Sequence, residues 1–258
     1  MTNIKIGPSG LGPASSAEKV LEEYSKKEFG NCEIAFTYQV YINSKQAKEI
    51  EKASKKYGIK LSIHAPYYVN LNSEEKEKIE ASKKRILKCC EIGDKLGAEI
   101  VVFHSGFYGK KKEEAYENIK KEIIEMQKEI KKNNWKIKLA PETMGKINVF
   151  GSAEEISNLA KETGCSFCID FAHILARDKK VDYEKIKKLF PQKEWHCHFS
   201  GIEYGEKGER NHINLKKEQW EELFENLPKD KKITIVCESP SRIENCVEGL
   251  SVLKKEDN

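Results

Sequence analysis

Arginine is scarce in this chain. Only Arg85, Arg177, Arg210 and Arg242 stand among 46 basic residues, so paired guanidinium forks cannot dominate any phosphate contact. Lysine, backbone amides or metal ions must supply most of it. Long apolar runs are also missing: none approaches the roughly 18 residues of a membrane span, and Met1-Thr2-Asn3-Ile4-Lys5-Ile6 lacks the apolar centre of a signal peptide. A cytoplasmic protein with no membrane partner is expected. Charge of one sign is barely in excess, with a formal net charge of +4 against 34% charged residues, which permits polyanion binding without demanding it. Eight cysteines are present, yet Cys89 and Cys90 fall in a helical pattern and Cys168, Cys197 and Cys237 in strand-like runs. That placement fits reduced thiols better than a disulfide framework. Cys165-Ser166-Phe167-Cys168 has no second pair to complete a zinc knuckle and reads as structural.

What the chain does contain is alternation. Short apolar runs at 4–7, 32–36, 61–64, 99–104, 136–142, 166–170, 194–199 and 233–238 are each followed by a helical pattern, several closed by glycine as at Gly58 and Gly97. Strand-then-helix units in unbroken series require a parallel sheet. Eight of them predict an α/β fold, a single-domain (β/α)8 TIM barrel over 1–258 with its active site on the C-terminal face. The turn-rich Pro8-Ser9-Gly10-Leu11-Gly12-Pro13 lacks phosphate-loop spacing and reads as a turn. The longest connection, 201–215, reads as a polar loop carrying His212 over the barrel mouth.

Strands three to eight end on metal-ligand residue types: His64, His104, Glu142, Asp170, His198 and Glu238. His173 follows Asp170 by three residues, where the backbone is expected to leave the strand for a loop. An isolated Asp170 reads equally well as a helix cap; its company favours a ligand. Imidazoles and carboxylates without clustered thiolates suit zinc, manganese or iron. With His173 and His212, eight candidates at three or four ligands per ion fit two or three ions, with Glu142 the best placed to bridge two. Such a cluster suits phosphoester hydrolysis. His196, two residues before His198, faces the same side and reads as a supporting or packed histidine. Lys110, Lys111, Lys112, Lys146, Arg177 and Arg210 are among the cations expected to rim this face, although lysine runs elsewhere make the rim indecisive.

Six motifs together resemble the endonuclease IV family of metal-dependent apurinic/apyrimidinic endonucleases, across nearly the whole chain. They are His64-Ala65-Pro66-Tyr67, Phe103-His104-Ser105-Gly106, Pro141-Glu142-Thr143, Cys168-Ile169-Asp170-Phe171-Ala172-His173, His198-Phe199-Ser200-Gly201 and Glu238-Ser239-Pro240. The resemblance implies one zinc on His64, His104 and Glu142, a second on Glu142, Asp170, His198 and Glu238, and a third held in part by His173 and His212. Zinc is the implied cofactor, in two or three ions, with manganese as a substitute. It further implies a monomeric DNA repair enzyme that hydrolyses the phosphodiester 5′ to abasic sites in double-stranded DNA by a metal-bound hydroxide, with Glu142 and Glu238 the catalytic carboxylates. Tyr67 and Arg210 are the implied DNA contacts.

Two departures stand out. The family's third site uses an aspartate in an Asp-Arg-His run, whereas this chain reads Glu209-Arg210-Asn211-His212. Either Glu209 reaches the ion through a different bend or the site is weak or empty. The family's Asn-Gln-Arg probing segment is replaced by Thr37-Tyr38-Gln39-Val40-Tyr41, which leaves lesion preference open. A rival function is a single-metal sugar isomerase or epimerase of the xylose-isomerase-like barrels, for which Glu142, Asp170, His198 and Glu238 alone suffice. A barrel that binds nucleic acid without chemistry is the weakest of the three.

Overall fold

The runs of alternating burial fold as expected in the computed structural model, which describes residues 3–256. In chain order the elements are β1 (Ile4–Pro8), α1 (Ala17–Lys26), β2 (Asn31–Ala35), α2 (Ser44–Tyr57), β3 (Lys60–His64), α3 (Lys76–Leu96), β4 (Ile100–Phe103), α4 (Lys112–Lys132), β5 (Lys138–Pro141), α5 (Ala153–Thr163), β6 (Ile169–Asp170), α6 (Phe171–Asp178), α7 (Tyr183–Leu189), β7 (Glu194–Phe199), β8 (Gly201–Gly205), β9 (Gly208–Ile213), α8 (Lys217–Asn226), β10 (Lys232–Cys237) and α9 (Arg242–Glu256). The strands β1-β10-β7-β6 and β2-β3-β4-β5 pair in parallel as two sheets. Single parallel bridges, Ser9 with Glu33 and Glu142 with Cys168, join the two sheets and close the barrel. The arrangement is a (β/α)8 TIM-type barrel.

The side-chain period of two sorts each strand between layers. Ile6, Ile34, Ile63, Val101, Leu139, Ile169, Cys197 and Ile235 point outward into the main core beneath the helices. On α4, Ala115, Ile119, Ile123, Met126 and Ile130 form the buried stripe that meets it; each buried isoleucine contributes about 1.5–3 kcal/mol of transfer free energy. Inside the barrel one side is apolar, with Ile100, Val102, Ala140 and Cys168 as a separate small cluster. Glu33, Ser62, His196 and His198 make the interior polar elsewhere. All eight cysteines are free and buried, as reduced thiols in core positions should be.

Local caps explain where the helices begin. Asn43 and Gln46 form a reciprocal capping box on α2, and Ser152 and Glu155 do the same on α5. Two expectations are corrected. The chain does not enter a loop after strand six: β6 is two residues long and α6 starts at once. The segment 201–215 is not a plain loop but the antiparallel hairpin β8–β9. No helix among the described residues is long and apolar enough to cross a membrane.

Candidate metal centre

All eight candidate ligands meet at the C-terminal mouth, because a parallel barrel brings every strand end to one face. Their donor atoms form three groups, each mutually within 4.8 Å: His64, His104 and Glu142; Glu142, Asp170, His198 and Glu238; and His173 and His212 with Glu209; His198 also falls in a fourth, with Cys168 and His196. Glu142, fully buried one residue past β5, belongs to two of them. Its Oε2 lies 3.2 Å from His64 Nε2 and 3.0 Å from His104 Nε2, while Oε1 lies 3.1 Å from His198 Nδ1 and 3.3 Å from His173 Nδ1. One carboxylate thus faces two ligand groups with different oxygens.

The histidine rings are oriented by their second nitrogens. His64 Nδ1 lies 2.8 Å from the Ala65 carbonyl and His173 Nδ1 2.9 Å from the Thr143 carbonyl. A carbonyl only accepts, so each Nδ1 carries the proton and each Nε2 is left to serve as a ligand. Asp170 caps a helix and is also placed for the ligand role. Its Oδ1 accepts from the His173 backbone N–H at 2.7 Å as the N-cap of α6, and its Oδ2 is buried without a hydrogen-bond partner. An orphaned buried carboxylate oxygen beside Glu142, His198 and Glu238 is what a cation site needs. The donor chemistry therefore fits divalent metal.

Electrostatics point the same way. Burial would raise the carboxyl of Glu142, but His198 and His104 outweigh it and hold it well below the usual range. Burial raises Asp170, with His173 opposing and Glu142 adding to the rise. Burial disfavours the imidazolium at His64 and His173, yet Glu142 at the first, and Asp170 and Glu142 at the second, lift them to about 9 and about 10. Without a metal, protons on these rings neutralise the carboxylates; a divalent ion does so more directly.

The hairpin places Glu209 beside the two histidines. In a regular strand Glu209 and His212, three residues apart, would face opposite sides. The pairing runs Glu203 with Asn211 and then Tyr204 with Glu209, so Arg210 is an extra, bulged residue. That bulge restores Glu209 and His212 to one side. Glu209 Oε2 reaches 3.5 Å from His173 Nε2, which is itself 3.4 Å from His212 Nε2. His212 Nδ1 lies 3.2 Å from Ser200 Oγ. Close approach of two glycines seats the hairpin. A Cβ on Gly208, at φ +95°, would lie 2.0 Å from the Gly145 carbonyl oxygen, and one on Gly145 would lie 2.8 Å from Glu209 Cβ.

The remaining candidates are more peripheral. Tyr67 lies tilted beside the site, its ring centroid 5.9 Å from that of His64 and 5.8 Å from that of His104. Arg210 is exposed on the hairpin. Arg177 is not a free rim cation: its guanidinium donates to the carbonyls of Lys146 at 2.7 Å and Val149 at 3.0 Å and to Tyr108 Oη at 2.8 Å, pinning the loop after β5. His64, Tyr67, His104, Lys146, Glu209 and Glu238 help line a cavity of about 520 Å³ over the centre. A cavity of about 610 Å³ lies at the opposite mouth, with Lys60, Lys138 and His196 in its wall. Sequence reasoning passed over Glu33, since a glutamate inside a strand ends nothing and matches no motif.

Residues 25–256 match the family model described as xylose isomerase-like TIM barrel. An uncharacterized protein of Methanocaldococcus jannaschii is 36% identical over 173 residues, which cover 61% of this chain and 63% of that protein. The chain thus matches less than two thirds of that relative's length. Among solved structures, endonuclease IV from Thermus thermophilus superposes with a TM-score of 0.76 at 19% identity, covering 98% of this chain and 100% of that one. A D-psicose 3-epimerase crystallised in the presence of D-fructose gives 0.71 at 17% identity, with 98% of each chain covered. At such identities the likeness is one of fold. The chain belongs to the xylose isomerase-like TIM barrel family.

Proposed function

We propose that this protein is a metal-dependent DNA repair endonuclease that hydrolyses the phosphodiester 5′ to abasic sites in double-stranded DNA, working as a monomer. The observation that carries the reading is Glu142, whose two oxygens face separate histidine-bearing ligand groups. One shared carboxylate between neighbouring groups suits a cluster of ions, and a one-metal isomerase has less need for the four additional imidazoles of His64, His104, His173 and His212. The proposed assignment is a first zinc on His64, His104 and Glu142, a second on Glu142, Asp170, His198 and Glu238, and a third on His173, Glu209 and His212. Divalent ions held there would lower the pKa of a bound water and neutralise phosphate oxygens. Glu142 would hold the cluster together, and Glu238, its side chain 19% exposed, lies in the cavity wall where a phosphate would enter.

The rim supports a nucleic-acid partner. Tyr38, Tyr67, Tyr68 and Phe107 are 71%, 57%, 61% and 50% exposed on the loops after β2, β3 and β4. Exposed rings around an open mouth suit stacking on bases more than enclosure of a small sugar. The likeness to endonuclease IV agrees with this reading.

One observation favours a second reading. Glu142, Asp170, His198 and Glu238 form a complete four-ligand set by themselves, and a D-psicose 3-epimerase shares the fold. Elemental analysis of protein purified without chelator separates the two. Two or three equivalents of metal per chain are expected; one equivalent, with no further uptake on titration, would favour a sugar epimerase.

A further inference from the structure

Below the ligand groups, Glu33 on β2 is fully buried in the middle of the barrel. An isolated carboxylate in that position is costly, so its partners identify its use. Its Oε2 is anchored twice: it accepts from Ser62 Oγ at 2.8 Å, the partner across the β2–β3 register, and lies 3.2 Å from His196 Nε2. Its Oε1 lies 3.0 Å from His198 Nε2. The two atoms sit off the ideal hydrogen-bond line, and neither has any other hydrogen-bond partner. The opposite nitrogen of the same ring, Nδ1, lies 3.1 Å from Glu142 Oε1 and 3.5 Å from Glu238 Oε2.

We propose that Glu33 is a positioning residue for the metal centre: it takes up the Nε2–H of His198 and so presents Nδ1 to the ion shared with Glu142, Asp170 and Glu238. The inference rests on the reading of His198 as a ligand. Two acceptors for one imidazole would leave its tautomer undecided if both sides were equal. In the structure Nδ1 makes the hydrogen bond, to Glu142 Oε1; with an ion on Nδ1 the ring proton would move to Nε2, and Ser62 and His196 hold Glu33 so that Oε1 is the oxygen left to accept it. A carboxylate behind a ligating histidine raises the basicity of the ring and fixes its plane. This also gives His196 a role: it belongs to the anchor of Glu33 and does not bind the ion.

The test is metal binding, not turnover. Wild-type, Glu33→Gln, Glu33→Leu and His196→Gln proteins are stripped with chelator and titrated with Zn(II) against a chromophoric competitor, and with Co(II) for its ligand-field absorption. Glu33→Gln keeps volume and hydrogen-bonding capacity while removing charge. The number of ions is expected to stay constant, with one of them bound roughly ten- to a hundredfold more weakly and its Co(II) spectrum altered. Glu33→Leu should lose more, and His196→Gln little, because the glutamine amide can still donate to Oε2 and Ser62 remains as the second anchor. The thermal midpoint of the stripped Gln variant should stay near wild type, which a purely structural role would not allow. If that variant folds poorly, Ser62→Ala, which frees Oε2, is expected to show a smaller loss of the same sign. Equal Zn(II) affinity in wild type and Glu33→Gln would overturn the inference while leaving the metal centre intact, as would an equal loss in His196→Gln. Loss of a whole ion with Glu33 would make it a ligand and overturn it too. Wild-type protein that takes up no metal would remove the metal-centre reading itself.

Discussion

Glu209 Oε2 lies 3.5 Å from His173 Nε2, although one residue is on a surface hairpin and the other in the first turn of a barrel helix. The third group of candidate ligands thus includes a carboxylate, from a glutamate one position further back than the aspartate of the related motif. Glu209→Ala is expected to remove about one metal equivalent and leave two in place. Glu209→Asp, shorter by one methylene, should weaken that ion and not abolish it. Three equivalents retained by Glu209→Ala would show that the carboxylate does not hold metal.

The hairpin owes its seat to Gly208. An alanine there meets both a positive φ of +95° and a backbone oxygen 2.0 Å from its Cβ, a clash that only backbone movement relieves. Because the hairpin lies outside the barrel sheets, Gly208→Ala should displace Glu209 and His212 while the barrel persists. Loss of the third ion with a thermal midpoint within a few degrees of wild type is the expected result.

In metal-free protein, His64 and His173 titrate at about 9 and about 10, above the roughly 6.5 of an unfolded imidazole. The folded chain binds these protons more tightly than the unfolded one. Their stabilisation is thus complete below about pH 6.5 and lost as pH rises through 9 and 10. Chelator-treated protein should need less urea to unfold at pH 10 than at pH 6.5. Zinc uptake near neutral pH should also release protons, seen as a dependence of the apparent binding heat on buffer ionisation enthalpy. A heat independent of buffer would contradict the charge arrangement described.

Tyr67 stands at the mouth beside His64 and His104, the residue 57% exposed. If it meets an unstacked base or the gap left by one, Tyr67→Ala should weaken binding to abasic duplex by about 1–3 kcal/mol, and binding to intact duplex by much less. Equal losses on both would restrict it to general contact.

How much of this was legible in the sequence follows from the physics of each part. Short apolar runs alternating with helical patterns, several closed by glycine, marked all eight barrel strands, and the strand ends bring His64, His104, Glu142 and Glu238 to one mouth, because a parallel barrel turns sequence order into one face. Two kinds of feature were hidden. The bulge at Arg210 changes which side Glu209 faces, and nothing local in Glu209-Arg210-Asn211-His212 signals an extra residue in a pairing with a strand not yet identified. Glu33 lies among buried neighbours in Asn31-Cys32-Glu33-Ile34; only closure of the barrel brings it to His198. Asp170 was read as either cap or ligand, and its two oxygens are placed for both.

The most direct test of the central claim is incision of an end-labelled duplex carrying one abasic site, using protein stripped with chelator and reloaded with zinc, beside Glu142→Gln treated alike. Metal-dependent cleavage at the bond 5′ to the lesion, leaving a 3′-hydroxyl, is expected from the wild type, with none above background from the variant. Intact DNA after incubation with wild-type protein that has bound two or three equivalents of metal would contradict the account.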